Sequence, residues 1–407
     1  MLDSLRSVVQ FRRFELDATK RRLATAANTD DLRRIAKRRL PGGVFDYIDG
    51  GAEDERTMRA NREAFSNYRF KPRVLRDVSA VDTSVSVLGK TIPLPLVLAP
   101  TGFTRIADPQ GELAVARAAQ RAGLPYTLST LSTRSIEEVA AANGDGRRWF
   151  QVYVWKDKGL LRDMVDRAAA ADYEALVITV DTANLGRRER DVRRGFELPP
   201  KLGLGTILDG AVHPSWTWRF VRAEPIRFAN IASSSAATDQ PEGSSAVNLA
   251  ETFATQFDAR LSWDDIDWFR SVWNGPIVIK GIQTVDDARI AADVGVDAVA
   301  LSNHGGRQLD DAPAALDLVA PVADAVGGRV EIICDGGVRR GSDIVKAVAL
   351  GATACMAGRA YLYGLAAGGE LGVDKVLDLF AGDVRRTMAL LGAATVKELS
   401  GDYLERG

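Results

Sequence analysis

A chain of 407 residues, 46% hydrophobic and 26% charged, is long and apolar enough to bury one large core. Its 53 basic and 54 acidic residues leave a net charge of −1, which excludes the basic footprint of a nucleic-acid binder. Two cysteines and two histidines exclude a disulfide framework and a metal cluster built on them, so no metal ligand is assigned.

The arginine-rich N-terminus lacks the apolar segment of a secretory leader, and no run approaches the length of a membrane span. The expected location is therefore cytoplasmic. Asp30–Arg39 reads as a capped helix with a basic last turn. Residues 41–55, PGGVFDYIDGGAEDE, mix turn formers with aromatics and are expected to cover one end of the fold. From Leu94 the chain alternates short apolar runs with amphipathic ones. The apolar runs are Leu94–Ala99, Tyr126–Ser129, Trp149–Val154, Ala175–Val180, Pro276–Lys280, Ala298–Ser302, Val330–Cys334 and Thr353–Ala357. Helical periodicity falls between most of them, as in Gly111–Ala122, Leu160–Ala171, Val285–Val294, Ala314–Val326 and Gly341–Leu350. Eight strand–helix units predict an α/β fold, a closed (β/α)₈ TIM barrel, with an N-terminal helical segment over residues 1–93 and the barrel over 94–407. A doubly wound open sheet fits less well, because no G-x-G-x-x-G opens the first unit. The rhythm breaks at about residues 189–262, predicting a long lid loop after the fourth strand. Within it, Trp216, Trp218 and Phe220 alternate with Arg219, Arg222 and Arg227, a pattern suited to packing on the barrel or to resting on a membrane surface.

Polar and glycine residues cluster just after the strands, where barrel enzymes place their chemistry. The run Ser302-Asn303-His304-Gly305-Gly306-Arg307 carries one of the two histidines and an arginine three residues on. His304 suits proton transfer, with Asp181 from the fourth strand as a partner that orients and stabilises its cation. Arg307 and Arg188 could hold a carboxylate, and Tyr47 and Tyr153 could bond its oxygens or a hydroxyl. Asp335-Gly336-Gly337-Val338-Arg339 and Gly358-Arg359 follow the last two strands, the usual barrel phosphate site. Lys280 ends an apolar strand and could form a Schiff base or stabilise a ligand that becomes anionic. His213 is given no role.

These residues resemble the FMN-dependent L-2-hydroxy acid oxidase and dehydrogenase family over about residues 30–399. SNHGGRQLD is the most specific match; FDYIDGGAEDE, LAPTGF, FQVYVWKD, TVDTANLGRRERD, VIKGI, CDGGVRRGSD and AGRAYLYG follow the same pattern. The resemblance implies His304 as base, Asp181 as its partner, Arg188 and Arg307 as the carboxylate clamp, and Tyr47 and Tyr153 as substrate-binding tyrosines. It places Lys280 by the flavin N1/O2 edge, which removes the Schiff base. Pro100, Thr101, Gly102, Ser129, Gln151, Thr179 and Ser302 would contact the flavin ring or ribityl chain. Asp335, Gly337, Arg339, Gly358 and Arg359 would grip the ribityl and phosphate. Leu131 stands where glycolate oxidases carry tryptophan, leaving room for a larger substrate side chain. Gly102 stands where oxidases commonly carry alanine, as in the dehydrogenase and monooxygenase members.

The implied reaction is oxidation of L-lactate to pyruvate, with FMN N5 taking the electrons and a quinone or another carrier reoxidising the flavin. An oxygen-using lactate oxidase or monooxygenase, an oxidase of a larger 2-hydroxy acid such as mandelate, and a peptide-modifying flavoenzyme are the alternatives. A homotetramer and peripheral contact with the inner face of the cell membrane are further expectations.

Overall fold

The computed structural model describes residues 15–195, 204–232 and 257–407. Eight parallel strands close into a barrel in sequence order. They are β1 Leu96–Leu98, β2 Tyr126–Ser129, β3 Arg148–Tyr153, β4 Ala175–Thr179, β5 Ile277–Ile282, β6 Ala298–Ser302, β7 Glu331–Asp335 and β8 Ala354–Ala357. Pairing of β6 with β7 and of β8 with β1 leaves no edge. The predicted TIM barrel is thus the fold.

Side chains alternate between two layers, as period-2 geometry requires. On β4, Leu176 and Ile178 face the outer layer, while Ala175 and Val177 join Val97, Trp149, Val278, Ala300 and Ile333 inside the barrel. The same alternation brings Ser129, Gln151, Thr179, Lys280, Ser302 and Asp335 to the inner face near the C-terminal ends of their strands. One irregularity matters. The β5–β6 register shifts between Lys280 and Ile282, where Gly281 has φ 116° and a Cβ would lie 2.9 Å from Cβ of Asp181. Glycine lets the two strand ends approach here.

The outer helices are α1 Gly111–Ala122, α2 Ile136–Asn143, α3 Lys158–Ala170, α4 Asp265–Val272, α5 Val285–Asp293, α6 Ala315–Val326, α7 Gly341–Ala349 and α8 Arg359–Gly368. Local chemistry fixes several starts. Ser135 and Glu138 close a capping box on α2, Asp157 caps α3 and Thr284 caps α5. Gly123 and Gly327 end α1 and α6 in the left-handed conformation.

Helices Thr29–Arg39, Gly42–Asp49 and Arg56–Ser66 precede the barrel, and the first of them is capped by Asn28. Residues 1–93 are not helical throughout. Val85–Val87 and Lys90–Ile92 form a hairpin, and its Val87 and Ile92 pack with the barrel interior. Leu88 N–H donates to the carboxylate of Glu331, at the start of β7, so the hairpin plugs the N-terminal end.

The stretch at 189–262 is not simply loop. It contains helices Glu189–Arg194, Leu204–Val212, Pro214–Arg222 and Ala229–Ala232; its residues 196–203 and 233–256, like residues 1–14, lie outside the described set. Trp216 donates its indole N–H to the Ile106 carbonyl at 2.8 Å, and Arg219 pairs with buried Asp108. Trp218 and Val221, in contrast, stay exposed. The aromatic segment thus packs on the barrel with one face and leaves another open.

Candidate active site

A cavity of about 550 Å³ opens at the C-terminal mouth, lined by loops from most strands and by Tyr47 and Ile48 from helix Gly42–Asp49. The motif after β6 enters it under backbone constraint. His304, Gly305 and Gly306 all take positive φ (58°, 67° and 71°). A Cβ on Gly305 would sit 2.6 Å from Arg359 Nη1, and one on Gly306 would sit 2.5 Å from the Met58 nitrogen. Only glycine fits at both places, and His304 carries the strain of a left-handed non-glycine residue. Asn61 and Asn303 lock the turn with two reciprocal amide bonds of 2.8 and 2.9 Å, both buried.

The His304 ring projects into the cavity, and its Nδ1 lies 3.0 and 3.2 Å from the two oxygens of Asp181. Asp181 is 3% exposed at its side chain. Burial alone would raise its carboxyl, but the imidazole of His304 and the ammonium of Lys280 outweigh that and hold it below the usual range. Tyr153 lies over the His304 ring at 6.4 Å and meets Phe257 edge-on at 5.2 Å. Burial, then Asp181, pushes the Tyr153 hydroxyl well above its ordinary value, so it stays a neutral donor.

Two arginines share one tyrosine. The guanidinium carbons of Arg307 and Arg188 lie 5.2 and 5.5 Å from the Tyr47 ring centre. Arg188 pairs with Asp191 at 2.7 Å, whereas the hydrogen bonds described for Arg307 go to the carbonyls of Tyr47 and Gly50. Burial and the like charges of Arg188 and Arg359 depress the Arg307 guanidinium to about 10. A concave site holding that much positive charge favours an anion.

Lys280 is buried. Its Nζ donates to Ser302 Oγ at 3.0 Å and pairs with Asp335 at 2.9 Å. Burial opposes the charge, but Asp335 and Asp181 overcome it and keep the ammonium above its ordinary value. Ser302 in turn donates to Asp335. Ser129, Gln151 and Thr179 form a second buried chain, Ser129 Oγ to Gln151 Oε1 at 3.0 Å and Gln151 Nε2 to Thr179 Oγ1 at 2.9 Å. These three and Ser302 do not form the cavity wall, while Pro100, Thr101, Gly102 and Leu131 do. Thr101 Oγ1 lies 2.6 Å from the Tyr361 hydroxyl, and the Gly102 backbone presses on Leu131.

At the far end Asp335, Gly337, Arg339, Gly358 and Arg359 reach the cavity together. Arg359 donates to the carbonyls of Ile48, Gly50 and Gly305. Of the site residues expected from sequence, Ser129, Gln151, Thr179, Asp181 and Ser302 lie behind the cavity wall at or just after their strand ends, and the others line the cavity. Phe103, Phe228 and Phe257 were not anticipated. Phe228 and Phe257 come from the insertion, where no periodicity marked them. His213 bonds the carbonyl of Asp209 and lies outside the cavity.

This fold and this mouth define an FMN-dependent dehydrogenase. The model of that family matches residues 36–406, and the chain belongs to it. Among its relatives is a Mycobacterium tuberculosis protein with a provisional L-lactate dehydrogenase name, 47% identical over 97% of this chain and 93% of the relative. The (S)-mandelate dehydrogenase of Pseudomonas putida is 44% identical over 93% of each chain. The crystal structure of the monotopic membrane protein (S)-mandelate dehydrogenase superposes with a TM-score of 0.89 at 42% identity, covering 94% of this chain and all of that one.

The residues present suit FMN. At the β7–β8 end Gly337 has φ 78°, and a Cβ there would lie 2.0 Å from the Asn61 carbonyl oxygen, so bare backbone borders the cavity. α8 begins at Arg359 without a capping side-chain bond, placing the N–H groups of its first turn beside two arginines, which is a phosphate's environment. Ala99, Pro100, Met356 and Ala357 supply an apolar wall for a flat ring, and Lys280 supplies a cation at its base.

Proposed function

We propose that this protein oxidises an L-2-hydroxy acid to the 2-keto acid, with L-lactate as substrate and pyruvate as product. The observation that carries the reading is the His304 ring, backed by Asp181, in one cavity with Arg307, Arg188 and Tyr47.

Arg307 and Arg188 bind the carboxylate, and the Tyr47 and Tyr153 hydroxyls bond its oxygen or the hydroxyl. His304 takes the substrate proton at Nε2, since Nδ1 faces Asp181. Asp181 holds the ring's orientation and stabilises the imidazolium that forms, a general-base arrangement. Bound FMN would supply the acceptor for the two electrons and the second hydrogen that leave the substrate. Lys280 places a fixed positive charge where negative charge accumulates. Gly337, Arg339, Gly358 and Arg359 hold the phosphate.

A second reading has its own observation. Leu131, Phe103, Phe228 and Phe257 give the cavity an apolar wall suited to a larger side chain, and a relative is named for mandelate. Anaerobic addition of L-lactate and, separately, L-mandelate while following flavin absorbance at about 450 nm decides between them. Bleaching by neither acid refutes both.

We further assign reoxidation to a quinone or another carrier, and a peripheral membrane location to the insertion. No helix among the described residues is long and apolar enough to cross a membrane. Helices Leu204–Val212 and Pro214–Arg222 nevertheless expose Ile207, Leu208, Val212, Trp218 and Val221, with Arg222 3.8 Å from the Trp218 ring. Such a face suits the interface of an anionic membrane. Vesicle co-sedimentation checks it. A tetramer is the proposed assembly, to be measured by light scattering.

A further inference from the structure

The acidic turn after Tyr47 and the basic helix after Arg188 meet in a half-buried ionic cluster that the mechanism above does not use. Asp49 ends helix Gly42–Asp49 and is 3% exposed. Its Oδ1 accepts from Arg33 Nε at 2.5 Å and from the Tyr363 hydroxyl at 2.7 Å. Its Oδ2 accepts from Arg33 Nη2 at 2.7 Å and from Arg190 Nη1 at 3.0 Å. Arg190 also donates to Glu55, and Arg194 pairs with Asp46 at 3.0 Å. Two cations of helix Glu189–Arg194 thus find three carboxylates on the N-terminal segment.

That helix has six residues and cannot hold itself in place without tertiary contacts. Its N-cap is Arg188, with no capping side-chain bond. Arg190 stands two residues after Arg188, and Asp49 stands two residues after Tyr47. The Asp49–Arg190 contact thus ties the helix that Arg188 begins to the turn that carries Tyr47. The same turn holds Arg307 through the carbonyls of Tyr47 and Gly50. All members of the arginine–tyrosine cluster are referenced to residues 47–50.

We propose that Asp49 and Arg190 are positioning residues, an ionic latch that sets Arg188 and so controls affinity for the substrate carboxylate without entering the chemical step. The inference rests on Arg188 being part of the carboxylate clamp. A partly buried ion pair adds little net stability over apolar packing, so its removal is expected to be read in geometry rather than in folding.

The test uses the flavin-loaded holoprotein with oxalate, an unreactive dicarboxylate, titrated by the change in flavin absorbance. Variants are Arg190→Gln, Asp49→Asn, the double variant, and Arg188→Met as control. Each single latch variant is expected to weaken oxalate about tenfold, with the double losing less than the product of the two singles because they share the Asp49–Arg190 contact. The maximal rate of anaerobic reduction at saturating substrate stays within about twofold, since the chemical step is untouched. Unchanged oxalate affinity, losses that multiply in the double variant, or an equal fall in maximal rate each overturn the latch. If Arg188→Met leaves oxalate affinity unchanged, the clamp reading fails and takes the latch with it. If that control weakens oxalate and Arg190→Gln does not, the latch alone is wrong. Should Asp49→Asn not fold, Arg190→Gln, on a partly exposed side chain, decides alone.

Discussion

Replacing Lys280 by Met separates what this residue does for the fold from what it does for the flavin. The substitution keeps the apolar stem and deletes the ammonium. Lys280 and Asp335 are 4% and 12% exposed at their side chains, with 2.9 Å between Nζ and Oδ2. Deleting one member of a buried pair costs about 3–5 kcal/mol, mainly from the charge left unpaired. Asp335 retains its bond from Ser302 and borders the cavity, so water reaches it and the loss should fall near the lower end, about 3 kcal/mol. Lys280→Met with Asp335→Asn removes the orphaned charge and should recover most of that, leaving the double variant within about 1 kcal/mol of wild type. Urea unfolding of the FMN-free protein measures the cycle without a contribution from flavin binding. Flavin reduction should stay impaired in the double variant, because the stabilising cation is missing in both. A double variant as unstable as the single, or one with restored reduction, refutes the reasoning.

His304→Ala should retain FMN yet lose at least about 10³-fold in anaerobic reduction, since a general base alone contributes up to about 10⁴. Rapid bleaching in that variant sinks the assignment. Asp181→Asn should reshape acid stability. The folded Asp181 carboxyl lies below its ordinary value, so its contribution is present above the ordinary carboxylate range and is lost as pH falls through the folded value. The variant should therefore show a flatter fall in urea midpoint between about pH 5 and pH 3 than wild type, and an equally steep fall contradicts the pairing. Gly102→Ala would place a Cβ 3.0 Å from Leu131 Cβ and 3.1 Å from its carbonyl oxygen. The crowding should cost about 1 kcal/mol in the thermal melt, and Leu131→Ala should not relieve it because alanine keeps the Cβ and carbonyl that are met; an unchanged melt for Gly102→Ala contradicts the contact.

What was legible in the sequence follows from period. A parallel strand buried on both faces is a short apolar run, and an inward residue near its C-terminal end interrupts that run with a polar group. Gln151, Thr179, Lys280, Ser302 and Asp335 all stand out in this way. The phosphate end was legible because glycine must stand where backbone meets backbone, as at Gly337 against Asn61. The roles of Leu131 and Gly102 came only from resemblance, since a leucine and a glycine after a strand are unremarkable. The hairpin at 85–92 was missed because its strands have three residues each, too short for alternation to register. The helices described within 189–262 were missed because each has nine residues or fewer, too short for helical periodicity to register.

The remaining gap is one of distance along the chain. Asn61 with Asn303, and Asp49 with Arg190, are separated by 242 and 141 positions. Nothing in either neighbourhood marks the partner, because an asparagine or aspartate in a helix suits many surfaces. Yet these pairs fix the two pieces that a barrel cannot position by itself, the strained His304 turn and the helix that follows Arg188. Strand ends supply the residues of this site in sequence-readable order. The precision with which His304, Arg188 and Arg307 face one another comes from the segment before the barrel, through buried polar contacts that each need their partner. Polar-to-apolar changes there should therefore alter binding geometry while the barrel stays folded.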